Sequence, residues 1–353
     1  MGNWFKEALR QLTVPVLAVI AGLLVGTIFI LSTGGDPIEA YGAFFEAVAG
    51  EPYKFGETLV SSIPLVFTGL AIALAFRCGL FNIGVEGQYL VGALATAWAG
   101  YAIKGLPGFI HAPLAILVGM LAGAFWAAIP GFLKAYRGVH EVINSIMLNY
   151  TGWYLTHYLV MGIFRDPKGN NATPAVLETA MFTQGIIERS RLHSGFYVAL
   201  LAAFLVWVFL WKTAAGYEIR AVGFAPGAAE YGGISVKRNI VLAMALSGAL
   251  AGLAAGVQTL GIAGKFYEPL GFVGFGFDGI AVALVGQNHP IGVVLSALLF
   301  GALERGGAGM NAATEIPKNV IQIVQGTVIF FVAVEGLWRY LRNRRTKKEV
   351  KSA

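Results

Sequence analysis

The stretch Gly79-Leu80-Phe81-Asn82-Ile83-Gly84-Val85-Glu86-Gly87-Gln88-Tyr89-Leu90-Val91-Gly92 lies between two strongly apolar runs, 59–76 and 90–103. A buried membrane segment is expected there, yet the stretch carries Asn82, Glu86 and Gln88, with glycines at 79, 84, 87 and 92. An unpaired polar side chain in hydrocarbon costs several kcal/mol. Such residues therefore face a bundle interior or a wet cavity. Glycines at this density loosen a helix and let backbones approach closely. The stretch reads as a broken or re-entrant membrane helix that lines a path.

The composition around it agrees. Of 353 residues, 57% are hydrophobic and only 12% charged, against roughly 25% charged in soluble domains. Mean hydropathy is +0.69. The apolar residues fall in blocks long enough to cross a hydrocarbon core of about 30 Å. The expected fold is an all-α polytopic transmembrane bundle of about ten membrane segments, two of them short or interrupted. The one cysteine, Cys78, excludes an internal disulfide and a cysteine-rich metal site.

Taken in order, residues 14–31 form a first apolar run, too long for a cleaved signal peptide. Residues 38–49 read as a short interfacial helix. Further spans follow at 59–76, through the opening stretch to 103, and at 111–133, 141–164, 196–211 and 240–260. A polar loop covers 165–194. Beyond 271 come a glycine-rich segment to 285, a break at Gln287-Asn288-His289-Pro290, a short helix 291–303, a loop 304–318 and a last span 320–340. In domain terms this is one transmembrane domain, 1–353. It comprises an N-terminal helix and interfacial segment (residues 1–55), a transmembrane core (residues 56–341) and a basic tail (residues 342–353).

The net charge of +6 raises nucleic acid as a partner, but the distribution of charge argues for membrane topology instead. With the N-terminus in the cytoplasm, sixteen of the 25 lysines and arginines fall on the cytoplasmic side, seven of them in or beside the tail. Both termini are then cytoplasmic, and the tail meets lipid headgroups. No nucleic acid is expected.

Two interrupted segments occupy matching places in the two halves. One is 79–92 with Glu86; the other is 271–286 with Asp278. Paired interruptions of this kind point to a central transport site. A buried acid there has two readings: a proton relay, or a cap on the exposed N–H groups of a half-helix. A third segment, 216–234, is rich in small residues. It suits one short helix over 217–224 and a second opened by Pro226, stopped at Gly232-Gly233. It forms a compact knob fit either to dock a soluble partner or simply to join two spans.

These residues resemble one family, the permease subunits of bacterial ABC importers for branched-chain amino acids, simple sugars and nucleosides. The likeness covers about 55–340. It is carried by 79–88, by His140-Glu141-Val142-Ile143-Asn144-Ser145-Ile146-Met147-Leu148-Asn149-Tyr150, by 218–234 and by 276–286. The first two resemble most the nucleoside (purine-type) branch. The resemblance implies a second related permease subunit (a heterodimer), a cytoplasmic ABC ATPase, and an extracytoplasmic substrate-binding lipoprotein or periplasmic protein. It makes 216–234 the ATPase-coupling loop, through Glu218, Arg220, Gly223, Pro226, Ala229, Tyr231 and Gly233. The chain has no Gly-x-x-x-x-Gly-Lys-Ser/Thr phosphate loop. ATP hydrolysis is therefore expected on a partner, and this chain is expected to be a transport subunit without catalytic residues, cofactor or metal.

A nucleoside offers hydroxyls, ring edges and a flat base, which neutral donors, acceptors and aromatic faces suit. The candidate path residues are Phe81, Asn82, Glu86, Gln88, Asn144, Asn149, Tyr150, Gln258, Phe277 and Asp278. For each polar one the alternative role is an interhelical hydrogen bond. For Glu86 and Asp278 the resemblance favours the structural role. A ribose-type sugar or a branched-chain amino acid is the alternative cargo, and a proton-coupled secondary transporter the alternative class.

Overall fold

A computed structural model of the chain describes residues 2–331 except 170, 315 and 318, with side chains from residue 17 onward. The basic tail and the second half of the expected last span lie outside the described residues. The elements in order are α1 (Gly2–Ser32), α2 (Pro37–Ala49), α3 (Pro52–Arg77), α4 (Val85–Ala102), α5 (Gly108–Arg137), α6 (Glu141–Met161), α7 (Gly195–Lys212), α8 (Ala214–Phe224), α9 (Pro226–Tyr231), α10 (Val236–Gln258), α11 (Phe275–Val285), α12 (Pro290–Thr314) and α13 (Asn319–Phe331). Helix α10 runs on into a π turn, Thr259–Ala263. Among the described residues extended backbone pairs only at two isolated bridges, Ala172 with Tyr267 and Gln184 with His193.

Five of these helices are long and apolar enough to cross a membrane: α3, α5, α7, α10 with its π turn, and α12. Helices α4 and α6, read as spans from the sequence, are not among the five. Polar residues in α4 (Glu86, Gln88, Thr96) and in α6 (Asn144, Ser145, Asn149, Thr156, His157) account for this.

The chain divides into two compact units, residues 1–55 with 302–353, and residues 56–301. In the first, the Tyr41 hydroxyl of α2 donates to the Leu23 carbonyl of α1 at 2.6 Å. A Cβ on Gly22 would come within 2.9 Å of Val328 in α13. The expected loop 304–318 is instead helical as far as Thr314. The glycines that suggested a loop are contact points: Gly306 packs on Phe44, Gly307 on Ile321 and Gly309 on Ala47. Their missing side chains admit neighbours, and the helix continues through them.

The second unit is organised around α4, α5 and α10. Helices α5 and α10 meet through glycines four apart, Gly119 and Gly123 against Gly248 and Gly252. A Cβ on Gly92 of α4 would stand 2.7 Å from the Gly252 Cα. Three backbones thus approach almost to touching, as the small-xxx-small pattern allows. Helix α3 is 83% buried over its apolar window, so protein surrounds it on nearly every side.

The 165–194 loop is anchored at several points. The Glu57 carboxylate accepts from the Arg191 backbone (2.7 Å), its Nε (3.0 Å) and its Nη2 (2.5 Å). The Thr173 N–H donates to the Phe266 carbonyl at 2.9 Å. His193 lies buried beside the π turn, where its Nδ1 accepts from the Gly195 N–H at 3.1 Å.

Candidate functional site

Helix α3 ends in a Schellman-type turn. The Leu80 N–H bonds the Ala75 carbonyl and the Gly79 N–H bonds the Phe76 carbonyl, with Gly79 at φ +74°. The chain then stays non-helical until α4 begins at Val85. This confines the discontinuity to the seven residues 78–84. Cys78 is buried at its start, with its thiol 3.7 Å from the Asn239 carbonyl of α10.

The polar residues of the stretch hold the break together. Asn82 and Gln88 pair amide to amide, each NH2 to the other's oxygen at 3.0 Å. The Asn82 amide also donates to Ser247 of α10 at 2.9 Å, and Ser247 donates to the Ala71 carbonyl of α3 at 2.7 Å. From α6, Asn149 accepts the Gly87 N–H at 2.8 Å and donates to the Ile83 carbonyl at 2.9 Å. Asn149 thereby satisfies one of the orphan N–H groups in the first turn of α4. All three amides are buried and engaged.

Glu86 reaches across to the second interruption. Its Oε1 accepts from the Gly274 N–H at 2.7 Å and its Oε2 from the Gly276 N–H at 2.6 Å. Gly274 is the N-cap of α11, in a left-handed conformation at φ +99°. A carboxylate here answers both the unpaired N–H groups and the positive end of the helix dipole. A Cβ on Gly276 would sit 2.5 Å from the Glu86 nitrogen, so only glycine admits this approach. The two interrupted segments therefore meet directly, α4 capping α11.

The other candidates are arranged differently. Asp278, on α11, is exposed, and its carboxylate has no hydrogen-bond partner among the described residues. Phe277 and Tyr150, 39% and 45% exposed, both contact Phe272, with ring centroids 5.6 and 5.2 Å away. Trp153 joins the same ring at 5.4 Å and donates to the Pro269 carbonyl at 2.7 Å. Sequence reasoning does not single out Phe272 and Trp153, because lone aromatics in apolar runs are ambiguous. Asn144 keeps a buried amide nitrogen unpaired among the described residues. Gln258 is half-buried near the end of α10. Phe81 stands apart, stacked on Phe76 at 5.1 Å.

Segment 214–234 folds as α8 and α9, bordering an open groove of about 830 Å³ with Phe76 and Arg77 on its rim. Its expected coupling residues divide into two sets. Glu218 accepts from the Asn239 amide at 3.0 Å, Arg220 donates to the Leu210 carbonyl at 2.8 Å, and Ala229 is buried. Gly223 lies against the turn at the end of α3, where any Cβ would collide with the Arg77 carbonyl. These four hold the knob on the bundle. Pro226, Tyr231 and Gly233 are exposed, Tyr231 at 97%. Phe224, 94% exposed, and Tyr217 belong with that outer set, which sequence reasoning does not reveal.

The family model described as branched-chain amino acid transport system / permease component matches residues 55–333. The guanosine ABC transporter permease protein NupP of Bacillus subtilis is 43% identical over 97% of this chain and 99% of its own length. The nucleoside ABC transporter permease protein NupB of Lactococcus lactis is 37% identical over 92% of each chain. The glucose ABC transporter permease protein TsgB13 of Haloferax volcanii is 34% identical over 93% of this chain and 88% of its own. With a match to most of its length and relatives well above 30% identity, this multi-pass membrane chain belongs to the permease-component family of ABC transport systems.

Proposed function

We propose that this chain is the permease subunit of an ATP-binding-cassette importer that carries nucleosides across a bacterial cytoplasmic membrane. The observation that carries the substrate class is the full-length similarity to two nucleoside permeases, at higher identity than to the glucose permease. The exposed chemistry agrees with that cargo. Tyr150, Phe277 and Asp278 are exposed, the two rings offering flat faces to a base and the carboxylate an acceptor to ring edges and hydroxyls, with half-buried Asn144 and Gln258 as further polar groups. Asn82, Gln88, Asn149 and Glu86 act in this reading as the frame of the path.

A carboxylate such as Asp278, exposed on an apolar helix, is costly against lipid. It supports a second, related permease facing this side, so that each chain supplies one wall of the path. The excess of lysine and arginine supports both termini and α8–α9 being cytoplasmic. Loop 165–194 is then the outer surface that an extracytoplasmic substrate-binding protein meets. The whole chain acts as one permease domain of about ten membrane segments, with an internal repeat centred on the two interruptions. A partner ATPase binds and hydrolyses ATP, and its closure pushes α8–α9 through Phe224, Tyr231 and the α9 N-terminus. The two permeases rock, the path opens to the other side, and the nucleoside crosses without covalent change.

The test is uptake of labelled guanosine by cells whose own nucleoside uptake is deleted, with this chain expressed beside its permease, ATPase and binding-protein partners. Unlabelled nucleosides should compete, and ribose or glucose at the same excess should not. Tyr231→Glu should abolish uptake while assembly persists. Competition by sugars alone would move the cargo to the sugar class.

A further inference from the structure

At one end of α7, Trp211 sits among groups from three other places in the fold. The Arg77 guanidinium at the end of α3 lies 5.1 Å from the ring centroid, and the Arg220 guanidinium of α8 lies 5.8 Å from it. The His289 ring, from the α11–α12 turn, is 5.0 Å away. Arg77 also donates through Nε to the Asn288 carbonyl at 2.9 Å and through Nη2 to the Gln287 carbonyl at 3.4 Å. Gln287 and Asn288 are left-handed, at φ 54° and 51°, a conformation rare for non-glycine residues that surrounding contacts must hold. Two arginines meet here, and neither has a carboxylate partner among the described residues. The indole and the backbone carbonyls are what offset their mutual repulsion.

The placement of Arg77 gives the cluster its meaning. Nine positions separate Arg77 from Glu86, and the two grip opposite ends of α11: Glu86 its N-terminal amides, Arg77 the carbonyls just past its C-terminus. Each charge matches the helix-dipole end that it faces. Helix α8, in turn, meets Arg77 directly through the Gly223 backbone and indirectly through the Trp211 indole that Arg220 and Arg77 share. Displacing α8 must therefore displace the grip on α11.

We propose that Trp211 is a positioning residue that joins α8 to α11: its aromatic face holds Arg220 and Arg77 together, so that movement of the coupling segment is delivered to the half-helix carrying Phe277 and Asp278. The proposal rests on the reading of α8–α9 as the ATPase-facing segment. The indole itself touches neither ATPase nor cargo; it sets how far one moves with the other.

The experiment compares Trp211→Phe, which keeps an aromatic face, with Trp211→Leu, which keeps apolar bulk alone. Both are made in the complete importer in proteoliposomes, with guanosine uptake and ATP hydrolysis measured together. Trp211→Leu should lower guanosine imported per ATP at least tenfold while hydrolysis stays within about twofold. Trp211→Phe should keep more than half of the wild-type ratio. Equal ratios in the two variants, both intact or both lost, would overturn the proposal. If Trp211→Leu does not assemble, Arg220→Lys and Arg220→Gln make the same comparison. The lysine, still a cation over the ring, should stay coupled and the glutamine should not; equal coupling overturns it. Tyr231→Glu, run in parallel, separates the two levels. If it leaves uptake unchanged, the ATPase-facing assignment fails, whatever Trp211 does.

Discussion

Replacing Glu86 tests whether its carboxylate caps α11 or moves protons, because graded substitutions separate the two roles. Glu86→Gln keeps one acceptor oxygen but turns an NH2 toward the second N–H, so one of the two bonds to Gly274 and Gly276 is lost. Glu86→Ala loses both and leaves two N–H groups unanswered at a site where the residue is wholly buried. Leaving a buried donor unsatisfied costs about 1–3 kcal/mol. Glu86→Gln should therefore destabilise by about 1–3 kcal/mol and Glu86→Ala by about 2–6 kcal/mol, including any loss of helix-dipole stabilisation. The assay is thermal unfolding of the purified complex, with hydrogen exchange followed at Gly274 and Gly276 and uptake measured on the same preparations. Stability, amide protection and uptake should fall in the same order: wild type, Gln, Ala. A proton relay predicts otherwise, since neither variant titrates: uptake would vanish equally in both, with stability and protection unchanged. That pattern would refute the capping account.

Other outcomes follow from the packing and the loop. Gly252→Val should destabilise by at least about 1–3 kcal/mol, the usual cost of overpacking, because its side chain would meet the α5 backbone at Gly119 and Met120; Gly227→Ala, with open space around it, should unfold like wild type. Burial holds the His193 imidazole down to about 4 from 6.5. Between those values the unfolded chain binds a proton that the folded chain does not, so stability must decline as pH falls from about 6.5 to about 4. The gap of about 2.5 pH units corresponds to about 3 kcal/mol. Protonation would also turn Nδ1 from acceptor to donor against the Gly195 N–H. His193→Gln should flatten this region of the pH–stability curve, and an unchanged slope would remove His193 as its source.

The sequence carries the existence of the break and of its counterpart, since Asn82, Glu86 and Asp278 are conspicuous among apolar residues. It does not carry what those groups bind. Glu86 meets Gly274 and Gly276 across about 190 positions, and no local pattern encodes such a contact. Sequence alone therefore leaves both readings of Glu86 open. The two short helices at 214–234 are legible because Pro226 and the glycine pair punctuate them. Which of their faces points outward is not, because alanine and glycine leave no amphipathic stripe. Glycine itself misleads at 304–318: at Gly306, Gly307 and Gly309 it marks close helix contacts, and the same residue at Gly79 ends a helix. Spacings of four, as in Gly119 and Gly123 or Gly248 and Gly252, are the available clue to the packing role. Trp211 gives no signal, because an aromatic at the end of an apolar run has many ordinary explanations.

The central claim is that this chain forms half of a nucleoside path driven by ATP hydrolysed elsewhere. Its most direct test is accumulation of labelled guanosine in proteoliposomes holding the purified importer, with ATP supplied on the ATPase side and the binding protein on the other. The account predicts accumulation that requires ATP, stops with a catalytically dead ATPase, and is indifferent to a protonophore. Accumulation that persists without ATP and collapses when the proton gradient is discharged would contradict it.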